Sequence, residues 1–365
     1  MIRRNFLFMS ILFAINHGCS VSVLGLANAK LGTAGVWSSG TLYASYTLSA
    51  LVGASYIVSK LGSRNGLVVG MAMVAFYVTS FYVALTTINI THDESNNNNN
   101  VANEYVSSSG RYVVVIGGAI VGGVGSSILW VSQGSYFATA SRLLAKQQQR
   151  QQQQGIEGTA AVTSLTTTSM KEDATSEFGA TFAFVFLVFE VILRLLSTFL
   201  VKTVGLSWEI VFGWYAFLSF LPVCAMLGVV DIDKRDQRLY DPILRTEEDD
   251  GEDEHERRNE HVQEDRRPPL KAMAALNLMW KDPLAKYLSP ICILFGLSTS
   301  FASSILNGEI IQRVLSDPNS TYVGLYTAIT SLVAAIASLV FGYLQSSKGR
   351  LHCGKNGALT VGAAS

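Results

Sequence analysis

Residues 178–201 read FGATFAFVFLVFEVILRLLSTFLV, and this stretch decides the fold class. A bilayer core takes about 20 apolar residues at 1.5 Å each. The stretch supplies that length with Glu190 and Arg194 as its charged members. In lipid every backbone N–H and C=O must find a partner inside the protein, so such a run is a helix. Seven comparable runs accompany it, at roughly 6–29, 36–61, 67–88, 112–139, 207–230, 284–311 and 322–344. The sequence therefore reads as an all-α polytopic membrane protein whose surroundings are the lipid bilayer, with about eight transmembrane helices expected.

Composition agrees. Hydrophobic residues make up 49% of the chain, charged residues 15%, and the net charge is +0, so charge suggests no nucleic-acid partner. Cys19, Cys224 and Cys292 lie inside apolar runs and Cys353 in a basic stretch. They have neither metal-ligand spacing nor the look of a disulfide framework, and they read as structural thiols. Gly117, Gly118, Gly122, Gly123 and Gly125 do not read as a nucleotide loop, because they sit within an apolar span with no strand before them. Gly118 and Gly122 instead form a small-xxx-small face for close helix packing. With no nucleophile–base arrangement, metal cluster or phosphate loop in view, neither enzymatic activity nor a cofactor is expected.

Charge sets an expected orientation. Arg3 and Arg4 precede the first run, and Lys60 and Arg64 lie between the second and third. Arg142, Lys146, Arg150 and Lys171 follow the fourth, Lys234, Arg235 and Arg238 the sixth, and Lys348, Arg350 and Lys355 the eighth. The alternate connections are poor in Lys and Arg, which predicts a cytoplasmic N-terminus. The sequons Asn89-Ile90-Thr91 and Asn319-Ser320-Thr321 then both fall on the outer side, as glycosylation requires. The first run has the basic start of a signal peptide, and Ala27-Asn28-Ala29 resembles a cleavage site. It is longer than the usual h-region, so a retained helix is the reading. The protein is expected in the plasma membrane or an endomembrane.

The Asn run 96–100 and the Gln-rich run 147–154 read as solvated disorder. So does the acidic block 247–256, whose charges repel one another. Three parts follow: a six-helix part at 1–231, a charged linker at 232–281 with a short interfacial helix over 270–280, and a partial second half at 282–365.

Polar groups at membrane depth are costly and hence candidate functional residues. Glu190 and Arg194, four apart on one helix, are placed to form an ion pair. Asn16 and His17 interrupt the first run, and a histidine there reads either as a hydrogen-bonded packing residue or as a group that couples transport to protons. Trp130, Gln133 and Tyr136 recur at three-residue spacing and read as one cavity-facing surface or as an interfacial anchor.

The run from Gly122 through Leu129, Trp130, Gln133 and Gly134 to Tyr136 resembles the Gly-rich "LW..QG.Y" signature of the Unc-ninety-three-like, or ion channel regulatory protein, family. That family is a branch of the major facilitator superfamily. Lys281-Asp282-Pro283, Gly296-Leu297, Phe301 and Tyr322-Val323-Gly324 extend the resemblance. Gly342 and Leu344 with Gly349 and Arg350 look like the basic cytoplasmic loop motif of facilitator proteins. The matching first-half turn, Ser59 to Gly66, lacks the usual acidic residue. The resemblance implies two helical halves, with helices one and four lining a central cavity for a small molecule or ion. It equally implies a non-transporting regulator or trafficking subunit for a channel or receptor partner. A complete facilitator has twelve helices, so this second half is expected to be truncated.

Overall fold

The computed structural model describes residues 2–95, 101–155, 163–233, 280–301 and 322–345. The regular structure among them is helical throughout: α1 Ile2–Leu31, α2 Thr33–Val52, α3 Ala54–Leu61, α4 Ser63–Ser95 and α5 Val101–Gly155. Beyond these come α6 Thr163–Lys202, α7 Trp208–Met226, α8 Pro283–Phe301 and α9 Val323–Gln345. Five (α1, α4, α5, α6 and α7) carry segments long and apolar enough to cross a membrane, and the count is six if α2 and α3 form one broken span. The chain is thus a multi-pass helical membrane protein.

Two features differ from the sequence reading. The run at 36–61 is not one straight helix. It breaks at Gly53 with a bend of 64° between α2 and α3. Glycine lacks the side chain that stiffens a helix, and sharp kinks collect at such positions. The Gln-rich run at 147–154 is helical, as the last turns of α5. Glutamine is a good helix former, and an established helix adds residues at far lower cost than it nucleates them.

Successive spans run antiparallel. At one end Arg3 of α1 meets Glu177 of α6 at 2.9 Å, and Ser63 at the start of α4 meets Asp233 just beyond α7. At the other end Lys30 lies over the Trp208 ring at 4.5 Å, and Lys202 donates to Tyr322 at 2.6 Å. Helix α4 packs along α5, α2 along α5, and α1 against α6 and α7. Helix α9 lies along α6.

The close α4–α5 pairing follows from the glycines. A Cβ on Gly118 would stand 2.2 Å from the Ser80 hydroxyl, and one on Gly122 would stand 2.6 Å from the Tyr77 ring. The small-xxx-small face read from the sequence therefore meets α4.

The apolar interior forms two layers. One gathers Phe6, Met9, Phe13, Met71, Tyr136, Phe178 and Met226. The other gathers Cys19, Val23, Tyr77, Phe81, Leu193, Phe212 and Tyr215. On α1 the seam between them falls at residues 14–18, and on α6 it falls between Phe178 and Leu193. Asn16, His17 and Glu190 occupy that seam.

Candidate functional site

Helix geometry separates adjacent residues by about 100°, so Asn16 and His17 face different neighbours. Asn16 is fully buried and its Nδ2 donates to Met71 O at 3.2 Å and to Ser219 O at 2.9 Å. It ties α1 to α4 and α7. Its Oδ1 is buried without a partner.

His17 faces α5 and α6. Its ring stands 5.4 Å from Trp130 in an edge-on arrangement and 5.1 Å from Phe186. Phe13, one turn earlier, contacts Trp130 at 5.0 Å and Phe182 at 5.4 Å, both edge-on. These five rings close around one another in arrangements that aromatic quadrupoles favour. Phe182, Phe186, Glu190 and Arg194 recur every four residues, so α6 presents one stripe that passes from rings to charges.

Glu190 and Arg194 form the expected pair, at 2.5 Å, with 11% and 15% of their side chains exposed. The same carboxylate oxygen accepts the Ser331 hydroxyl of α9 at 3.0 Å. Helix α1 comes close to α6 here because residue 18 is glycine: a Cβ there would stand 2.6 Å from Leu193 Cδ1. Helix α9 comes closer still. A Cβ on Gly324 would stand 2.3 Å from the Arg194 carbonyl oxygen. Arg194 Nε and Thr198 Oγ1 are buried there without partners.

The cavity-wall reading of α5 separates into parts. Trp130 joins the aromatic cluster, and Gln133 is buried. Tyr136, fully buried, hydrogen-bonds with Asn5 and donates to Val230 O at 3.4 Å, at the α1-start end of the bundle. Trp130 and Tyr136 are six residues apart, which is about 9 Å along the axis and 120° around it. They do not share a face. The Tyr136 ring is enclosed within the bundle.

The turn at Ser59–Gly66 acquires its acidic partner through space. Asp233 Oδ2 accepts both the Ser63 N–H and the Ser63 hydroxyl at 2.7 Å, where Gly62 turns the chain at φ 79°. A carboxylate at a helix N-terminus satisfies free N–H groups and complements the helix dipole. Arg64 donates to Leu227 O. The start of the predicted linker is thereby fixed to α4, with Ile232 buried in the core.

Asn89 is helical, within α4, and Gly342 and Leu344 are helical, within α9. Gly349, Arg350 and Asn319 lie outside the described residues, as do the acidic block and residues 270–279. Among the described residues, no group of three or more His, Cys, Asp or Glu is placed to hold a metal ion. Ser331, Phe13, Phe182, Phe186 and Asp233 were not singled out from sequence. The four-residue repeat on α6 was a signal for the two phenylalanines there. Nothing local pointed to Ser331 or Asp233.

Comparison with known proteins finds no family model, curated protein or solved structure that matches the chain.

Proposed function

We propose that the chain is a transporter-like membrane protein of the major facilitator type, working by alternating access. Its helical parts before and after the linker rock about a site where α1, α5, α6 and α9 meet. The observation that carries this reading is the double engagement of Glu190, whose one oxygen is held by Arg194 of its own helix and by Ser331 of α9. Rocking of two bundles around a midplane site exposes that site to each side in turn. Charged groups at membrane depth carry a high desolvation cost, and they concentrate where a substrate or ion pathway uses them. The aromatic cluster around His17 closes the space beside the pair. The resemblance of residues 122–136 to the Unc-ninety-three-like family supports the same reading.

One observation favours the second reading, a non-transporting regulator or trafficking partner for a channel or receptor. The Asn16 Nδ2 group is taken up by carbonyls of α4 and α7, a bond that holds α1 against them. Single-cysteine accessibility separates the two. In a background without the native cysteines, His17→Cys and Trp130→Cys are exposed to a membrane-impermeant thiol reagent from either face of sealed vesicles. Alternating access predicts labelling from both faces. Labelling from one face alone, or from neither, removes the transport reading and leaves the regulator.

A further inference from the structure

The Ser331 hydroxyl has one hydrogen and two acceptors within reach. Glu190 Oε1 lies across the helix contact at 3.0 Å, and Thr327 O lies on its own helix at 3.3 Å. We propose that Ser331 is a positioning residue that makes and releases the Glu190 contact as α9 moves against α6, and so sets the balance between two arrangements of the bundle. This rests on the rocking reading above.

The physical case is one of cost. A buried donor left without an acceptor loses its full desolvation penalty, which makes most buried polar contacts expensive to break. Ser331 is 6% exposed, yet it strands nothing on release. Its hydroxyl turns back to the carbonyl four residues earlier, a bond that serine makes readily in helices. Glu190 keeps Arg194. The neighbouring contact is of a different kind: Gly324 brings the α9 backbone close against the Arg194 carbonyl. The crossing thus combines close packing with one bond that can switch acceptors. A hydrogen bond to a charged acceptor is stronger than one to a neutral carbonyl, so the engaged arrangement is the one that Ser331 favours.

Spin labels at Val113 and Val333, both exposed and on either side of the linker in sequence, report the arrangement through pulsed dipolar distances in lipid nanodiscs. The parent should give two distance populations. Ser331→Ala should shift their ratio away from the engaged one by about tenfold, equivalent to about 1.4 kcal/mol. Ser331→Thr, which keeps the hydroxyl, should restore it. If two populations persist but Ser331→Ala leaves the ratio within twofold of the parent, the Ser331 assignment is wrong and rocking survives. A single population in the parent under every condition overturns rocking and the assignment together.

Discussion

Separating Glu190 from Arg194 should destabilise the protein far more than removing both. The pair is joined at 2.5 Å with 11% and 15% of its side chains exposed, so water screens it little. Breaking a buried pair by deleting one partner costs about 3–5 kcal/mol, because the survivor is left buried and charged. The residual exposure places each single variant near the lower end, at about 3 kcal/mol. Glu190→Ala also releases Ser331, and it leaves a guanidinium whose Nε already lacks a partner. Replacing both with apolar residues of similar volume, Glu190→Leu with Arg194→Met, removes the desolvation penalty along with the attraction, and is often neutral or stabilising. At about 2 °C per kcal/mol, single variants should melt about 6 °C below the parent, with the double variant within about 2 °C of it. Fluorescence-detected size exclusion after heating in detergent gives these apparent melting temperatures. Single variants that melt with the parent would show the charges to be solvated and the pair not to be buried.

The Asn16 amide points at two carbonyls, so Asn16→Asp, which offers them only oxygen, should be less stable than Asn16→Ala by about 1–3 kcal/mol, measured the same way. Gly122→Val should collapse expression, because its Cβ alone would already sit 2.6 Å from the Tyr77 ring. Gly117→Ala, which meets nothing within 4 Å, should be neutral or stabilising by about 0.5–1 kcal/mol. Asp233→Ala removes the cap on α4 and should cost about 0.5–2 kcal/mol, read as faster amide exchange confined to its first turn.

Most of the helices were legible because a membrane helix is written in consecutive residues: length and hydropathy suffice, with no knowledge of partners. The Glu190–Arg194 pair was legible for the same reason, since both members share one helix face. What sequence missed depends on distant packing. Ser331 reaches Glu190 only because Gly324 lets α9 close on Arg194, and Asp233 reaches Ser63 across 170 residues. Trp130 and Tyr136 were grouped by a three-residue spacing that drifts by about 60° at each step. The bend at Gly53 lies in a run whose hydropathy is continuous, so composition does not mark it. The Gln-rich run was read by polarity, whereas its conformation follows from the helix it continues.

The crossing of α6 and α9 joins the helices on either side of the linker, and it can be tested in a chain that has been cut. Lys202 and Tyr322 meet at 2.6 Å at one end of that crossing. Lys202→Cys and Tyr322→Cys, in a background without the native cysteines, are bridged in membranes with a short bis-maleimide. The chain is then cleaved at a protease site placed within residues 234–279. The two pieces should stay joined on a denaturing gel and separate when the cross-linker is omitted. Two separate fragments despite full modification of both cysteines would contradict that crossing.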